Sequence, residues 1–167
     1  MAISQKEIKE KRFKVIALHP DLGGCDMIPP CSFCYKKVKI PAGKKLFKDE
    51  QFWVDIVPFL ATLTDQVAVG ANGEPFMNIP FVQRISKVCT DNGITCNVTT
   101  NGRKLMAMSE CMLKQSLMNV KVISISYDKE KITGLSDYKK FKELVDRIKR
   151  NSKCEVGCNL LMDSEMF

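Results

Sequence analysis

Hydrophobic and polar positions along the chain alternate with two different periods, one typical of strands and the other of helices. Five strand-like segments are predicted, over residues 13–18, 66–70, 94–100, 120–126 and 154–162. Four helices are predicted between them, over residues 49–64, 79–91, 109–118 and 136–150. Strands and helices that follow one another this regularly favour βαβ units, and therefore an α/β fold with a parallel sheet.

Several of the predicted helices carry recognisable end signals. Asp49, Asn78 and Ser109 are suitable N-cap residues, because their side-chain oxygens can accept a hydrogen bond from a backbone N–H of the first turn. Pro58 predicts a kink in the first helix, and the Asn-Gly pair at 92–93 predicts the end of the second. The apolar stripe of the last helix is formed by Tyr138, Phe141, Val145 and Ile148.

Polar and glycine-rich loops follow the first four predicted strands. They cover residues 25–34, 70–75, 100–102 and 126–128. The carboxyl ends of parallel strands meet at one edge of the sheet, and in barrels and open sheets alike this edge carries the functional residues. The sequence therefore predicts that the four loops converge on a single site.

Composition and length place the chain among ordinary globular proteins. With 167 residues, of which 45% are hydrophobic and 27% charged, we expect one domain covering 1–167. No apolar run is long enough to cross a bilayer, and the N-terminal segment lacks the apolar stretch of a signal peptide, which predicts a cytoplasmic protein without a membrane partner. Because the chain ends soon after the fifth predicted strand, we expect the domain to be incomplete at its C-terminal side.

The net charge of +7 comes from lysines that concentrate in residues 36–48 and 139–153. A solvated surface is the simplest interpretation, and a site for phosphates, RNA or an acidic electron donor is the alternative. Aromatic and basic residues do not alternate as they do in RNA-binding segments, so a nucleic-acid partner is disfavoured.

Three of the eight cysteines lie in the loop after the first predicted strand, where Cys25, Cys31 and Cys34 form a C-x5-C-x2-C pattern. In a reducing compartment such thiols favour metal ligation over disulfides. Three thiolates on one metal centre leave a coordination position open, which distinguishes a reactive metal site from a purely structural one. A structural zinc site completed by His19 is the alternative interpretation.

This cysteine loop resembles the cluster-binding loop of the radical S-adenosylmethionine (SAM) enzymes. Phe33 matches the aromatic residue that the family places before the last cysteine, although the first gap has five residues where the family usually has three. A second match follows the second strand, where residues 72–75, Asn-Gly-Glu-Pro, resemble the family's GGEP motif. Residues 99–102, Thr-Thr-Asn-Gly, resemble a T-N-G sequence found after the third strand.

The resemblance implies a partial six-unit (β/α) TIM-like barrel, with a parallel sheet of which about five strands are present. It implies that Cys25, Cys31 and Cys34 bind a [4Fe-4S] cluster and that SAM occupies the open iron. The remaining implied cofactor contacts are Phe33 near the adenine, Asn72, Gly73, Glu74 and Pro75 at the amino group, and Ser124, Ser126 and Asn159 at the ribose or carboxylate.

The activity that the resemblance implies is reductive cleavage of SAM to a 5′-deoxyadenosyl radical, which abstracts hydrogen from a substrate that the sequence does not identify. A low-potential donor such as ferredoxin or flavodoxin is implied as the source of electrons. Two other classes stay open at this point: a non-catalytic iron–sulfur or zinc-binding module, and an inactive, truncated remnant of a radical SAM enzyme.

The remaining five cysteines are predicted to be small buried hydrophobic residues. They are Cys89, Cys96, Cys111, Cys154 and Cys158. An auxiliary cluster held by Cys154 and Cys158 is the alternative for that pair.

Overall fold

The computed structural model describes residues 13–21, 24–27, 31, 34, 49–70, 73–127 and 135–160, with the side chains of 135–137 and 160 excepted. Within this part of the chain, no helix combines the length and the apolar character needed to cross a bilayer.

Five parallel strands form one sheet in the order β1-β2-β3-β4-β5. The strands are β1 Ile16–Leu18, β2 Gln66–Val69, β3 Thr95–Thr100, β4 Val122–Tyr127 and β5 Glu155–Leu160. Each strand pairs with the one before it in the chain, so the strand order never reverses as it does in a doubly wound sheet. An α/β fold with a parallel sheet, as predicted, is confirmed, and its strand order is that of a (β/α) barrel.

The helices are α1 Glu50–Asp55, α2 Val57–Leu60, α3 Ile79–Asp91, α4 Arg103–Ala107, α5 Glu110–Ser116 and α6 Leu135–Asn151, and a 3-10 helix covers Pro75–Met77. All three predicted N-caps are confirmed. The Asp49 carboxylate accepts from the N–H of Phe52 at 2.8 Å, and Asn78 and Ser109 accept equivalent bonds in α3 and α5.

Several predicted boundaries differ from the structure. The predicted helix 49–64 is divided at Ile56 into α1 and α2 and ends at Leu60. The division lies just before Pro58, which has no N–H to continue the helical bonding. Strand β1 is shorter than predicted, and Phe13 forms only an isolated parallel bridge with Thr64. The short helix α4 was not predicted.

The apolar core lies between the sheet and the helices. Val69, Val98 and Ile123 stand in register on adjacent strands and are fully buried. Helix α3 covers this face with Phe81 and Ile85, both of which have no exposed surface. The opposite face of the sheet carries small and polar residues, so strand alternation separates a helix-covered face from a polar one.

The predicted stripe on α6 is partly wrong. Ile148 is buried as expected, and Phe141 and Val145 are half-buried, but Tyr138 is 49% exposed and Leu144 takes its place in the core. Tyr138 instead meets the ring of Tyr127 edge-on, with 6.5 Å between the ring centroids. Leu144 and Ile148 are four residues apart, so they lie on one face of the helix.

The cysteines outside the loop divide into two groups. Three of them are buried thiols, as predicted: Cys89, Cys96 and Cys154. The pKa of Cys96 is raised, mainly by its hydrogen bond with Cys89 and next by its burial. Cys111 and Cys158 are exposed, which contradicts the prediction. Cys111 lies two residues from the buried Leu113, and two residues of a helix turn the side chain to the opposite face.

The auxiliary cluster considered for Cys154 and Cys158 is not supported by their positions. Cys154 is buried just before β5, whereas Cys158 is exposed on β5. Burial raises the pKa of Cys154, whose thiol contacts the backbone oxygen of Val120 at 3.0 Å, so this sulfur is held as a neutral thiol in the core.

Replacing Phe81 by alanine tests the assignment of the core. We expect Phe81→Ala to lower the free energy of unfolding by about 3–5 kcal/mol, because it removes a large, fully buried ring. The matched control is Phe59→Ala on α2, where the ring is 60% exposed and the expected change is about 0.5 kcal/mol or less. Urea unfolding of both variants measures the difference, and equal costs would contradict the core described above.

Candidate functional site

The cysteine loop and the turn after β2 are joined by a backbone hydrogen bond. The N–H of Glu74 donates to the carbonyl of Gly24 at 2.7 Å, one residue before Cys25. Gly73 permits this approach, because a Cβ atom at this position would lie 2.5 Å from the same carbonyl oxygen. Its φ of +129° also belongs to glycine rather than to other residues. The two strongest sequence motifs are therefore in direct contact.

The carboxylate of Glu74 is buried, with only 2% of the residue exposed, and it bonds to groups of the chain itself. Oε1 accepts from the hydroxyl of Thr100 at 2.6 Å and from the N–H of Phe76 at 3.2 Å. Oε2 accepts from the backbone N–H of Asn101 at 2.8 Å. Glu74 thus ties its own turn to the loop after β3, and its role at the amino group of SAM stays a prediction.

Burial raises the pKa of Glu74 above its ordinary value of 4.5. The hydrogen bonds from Thr100, Asn101 and Phe76 oppose this shift, because they stabilise the ionised form, whereas the nearby charge of Asp26 adds to it. Burial therefore destabilises the ionised carboxylate, and the surrounding hydrogen-bond donors offset part of this cost.

Asn101 connects the loop after β3 to the cysteine loop. Its side-chain Nδ2 donates to Oδ1 of Asp26 at 2.7 Å and lies 3.7 Å from the sulfur of Cys25. Arg103 lies on the other side of Asp26, with its Nε 4.0 Å from Oδ2. Three loops, which follow β1, β2 and β3, are therefore linked to one another by hydrogen bonds.

The three cysteines of the loop differ in exposure: Cys25 is exposed, Cys31 is buried and Cys34 is intermediate. The N–H of Cys34 donates to the carbonyl of Cys31 at 3.1 Å. Among the residues that the structure describes, no three His, Cys, Asp or Glu side chains are gathered as metal ligands. The assignment of these cysteines as ligands stays a prediction, and Phe33 and Asn72 lie outside the described residues.

Ser124, Ser126 and Asn159 lie on the polar face of β4 and β5, and the last two are one residue from the carboxyl ends of these strands. Ser126 and Asn159 are direct partners in the register of the two strands. Ser124 donates a hydrogen bond to Oδ1 of Asn97 on β3 at 3.0 Å. The buried residues Ile123 and Ile125 alternate with the serines and pack into the core. The structure thus brings these three predicted residues onto one surface, while their contact with SAM stays a prediction.

Sequence reasoning missed the parts played by Asp26 and Asn97, and it noted Thr100 and Asn101 only as part of a motif. Thr100 and Asn101 lie at the end of β3 and just after it, and Asp26 is next to a cysteine of the loop. That position was the available signal for these three, because polar side chains at the carboxyl edge of a parallel sheet are the ones that can meet. Asn97 lies within β3, where only its place on the polar face distinguishes it.

Comparison with known proteins finds relatives by structure alone. No family model matches the sequence, and no curated protein matches it. The structure is similar to that of BtrN in complex with AdoMet and 2-DOIA, with a TM-score of 0.54 and 14% identity over 89% of this chain. It is also similar to native anSMEcpe with bound AdoMet, with a TM-score of 0.55 and 17% identity over 87% of this chain.

The chain spans 58% of the length of BtrN and 42% of that of anSMEcpe. Both neighbours have a TIM-like barrel fold. At this level of identity the likeness establishes the fold of the chain, whereas its function depends on the site.

Replacing Gly73 by alanine tests the contact between the two loops. We expect Gly73→Ala to speed hydrogen exchange of the Glu74 amide, because the added Cβ displaces the Gly24 carbonyl that this amide contacts. Gly93→Ala is the matched control: Gly93 also has a positive φ, of +70°, but a Cβ there meets nothing within 4 Å. The control carries only the backbone strain, about 1–2 kcal/mol. Unchanged exchange at Glu74 in Gly73→Ala would contradict the contact.

The raised pKa of Glu74 predicts that its contribution to the free energy of unfolding depends on pH. The folded protein binds this proton more tightly than the unfolded chain, so the contribution of Glu74 is fully present below pH 4.5 and is lost as the pH rises through the raised pKa. We expect the stability of Glu74→Gln not to show this loss. Urea unfolding at a series of pH values gives the free energy of unfolding of the wild type and of the variant. The wild-type value minus the variant value should fall as the pH rises through this window.

The exposed Glu110 supplies a control of opposite sign. A hydrogen bond from Arg147 lowers the pKa of Glu110, so its contribution is present above the ordinary pKa and is lost as the pH falls. The free energy of unfolding of the wild type minus that of Glu110→Gln should therefore rise with pH. If the free energy of unfolding of the wild type minus that of Glu74→Gln stays constant or rises with pH, the burial of the Glu74 charge is contradicted.

Proposed function

We propose that this chain is a radical SAM domain, in which Cys25, Cys31 and Cys34 hold a [4Fe-4S] cluster and SAM binds beside it. The observation that carries the proposal is the hydrogen-bonded junction of the cysteine loop, the turn at Gly73-Glu74 and the loop at Thr100-Asn101. Three sequence matches that lie up to 76 residues apart in the chain meet at one edge of the sheet. Similarity of fold to two proteins with bound AdoMet, which is SAM, supports the same function.

The donor set suits the proposed cluster. Thiolates are the ligands that iron–sulfur centres prefer, and the three thiols belong to one loop after β1. The bond between Glu74 and Gly24 holds the turn after β2 one residue from Cys25. An amino acid group that bound at this turn would therefore lie next to a ligand of the cluster.

The chain's own groups bind and orient the cofactor in this proposal. Gly73 gives the turn room to approach the cysteine loop, and the buried carboxylate of Glu74 keeps the turn in place. Ser124, Ser126 and Asn159 provide hydroxyl and amide groups for the ribose or the carboxylate of SAM. Phe33, Asn72 and Pro75 complete the proposed contacts.

The chemistry that the cluster supplies when bound is one-electron reduction of SAM, which yields methionine and a 5′-deoxyadenosyl radical for hydrogen abstraction. The electron requires a low-potential donor, for which ferredoxin and flavodoxin are the proposed classes. The substrate is a further, unidentified molecule.

Anaerobic reconstitution with iron and sulfide tests the proposal. We expect a brown protein with about four irons per chain and an EPR signal, after reduction, that changes when SAM is added. Dithionite and SAM should then give 5′-deoxyadenosine. Cys25→Ala should abolish both the cluster and the product, because it removes one of three ligands.

Cys111→Ala is the matched control, since Cys111 is also exposed but lies on α5, away from the loop. It should retain iron and activity. Bound zinc with no cluster after reconstitution would overturn the proposal. A cluster that binds SAM without cleaving it would refute the catalytic part and indicate an inactive remnant.

A further inference from the structure

Hydrogen bonds of both the backbone and the side chain fix the position of Asn101. Its backbone N–H donates to Glu74, and its side-chain Oδ1 accepts from the backbone N–H of Arg103 at 2.9 Å. Because only the carbonyl oxygen of the amide can accept that bond, the NH₂ group has to point the other way, toward the cysteine loop. The orientation of the amide is therefore determined by its partners.

The NH₂ group has two hydrogens and two acceptors within reach. One acceptor is Oδ1 of Asp26 at 2.7 Å, and the other is the sulfur of Cys25 at 3.7 Å. Cys25 is the first of the three proposed ligands. A deprotonated, metal-bound sulfur carries more negative charge than a thiol, so it is the stronger acceptor for this N–H.

We propose that Asn101 is a positioning residue that donates an N–H···S hydrogen bond to the Cys25 thiolate and thereby raises the reduction potential of the cluster. The inference rests on the function proposed above. Hydrogen bonds to the sulfurs are among the groups that set the potential of iron–sulfur centres. Reduction adds a negative charge to the cluster, and an N–H dipole directed at a ligand sulfur stabilises that charge.

Asp26 influences the potential in the opposite direction. Its carboxylate follows Cys25 in the chain and is 18% exposed, so its negative charge disfavours an added electron nearby. Arg103 offsets only part of this effect, because its Nε is 4.0 Å away and its side chain is 53% exposed. The two partners of the Asn101–Asp26 hydrogen bond therefore act on the cluster with opposite signs.

Because Asn101 and Asp26 shift the potential in opposite directions, variants of the two residues distinguish an effect on the cluster from a loss of loop structure. Asn101→Leu and Asp26→Ala both break the bond between the two loops, but only the first removes the N–H donor to Cys25. We expect the midpoint potential to shift downward in Asn101→Leu and upward in Asp26→Ala, relative to the wild type. The measurement is a reductive titration of the reconstituted protein followed by EPR.

Asn101→Ser is the second variant, and it decides the question if the leucine variant does not fold. It keeps an oxygen that can accept from the N–H of Arg103 and adds no charge, but it lacks the amide N–H that reaches Cys25. Its potential should also shift downward. Shifts in the same direction in the asparagine and Asp26 variants, or an unchanged potential in either asparagine variant, would overturn the inference.

The same titration separates this inference from the proposed function. A wild-type protein that forms no cluster overturns both. A wild-type protein that forms a SAM-responsive cluster, with potentials that do not depend on Asn101, overturns the role of Asn101 alone.

Discussion

The buried carboxylate of Glu74 is the interaction on which the arrangement of the site depends. A charged group with 2% of its surface exposed is costly unless donors surround it. Thr100, Phe76 and Asn101 supply those donors, and two of them lie at the end of β3 and in the loop after it. The carboxylate can be buried only if the turn after β2 and the loop after β3 are in contact, so one side chain couples the two directly.

The parallel sheet makes that coupling possible. Every strand pairs with its predecessor, so the loops after β1, β2 and β3 emerge side by side at one edge. Strand alternation then assigns Val98 and Ile123 to the helix-covered face, and it leaves Asn97 and Ser124 on the other face. The apolar face provides most of the stability through burial, while the polar face and the carboxyl edge are available for binding.

Fold and function rest on different residues in this chain. The similarity to two AdoMet-bound proteins extends over nearly the whole chain at 14% and 17% identity, which shows how few positions the fold requires. Alternation and burial can be satisfied by many apolar residues, whereas the junction at the carboxyl edge needs particular ones. Gly73 has to be small because of the Gly24 carbonyl, and Glu74 has to reach two donors at β3 and beyond. The proposed function therefore depends on this junction rather than on the sheet.

The sequence by itself determined the order of strands and helices, the parallel sheet, the three helix N-caps and the burial of Cys89, Cys96 and Cys154. These features depend on periodicity and on residues within one turn, so they can be read locally. It also identified the cysteine loop, Gly73-Glu74 and the motif around Asn101, but as separate matches. Only the tertiary structure decided that Glu74 bonds to Thr100, that Asn101 reaches Asp26, and that Cys111 and Cys158 are exposed. The physical reason is distance along the chain: Asn101 and Asp26 are 75 residues apart, and no local pattern specifies which polar groups the folded sheet brings together.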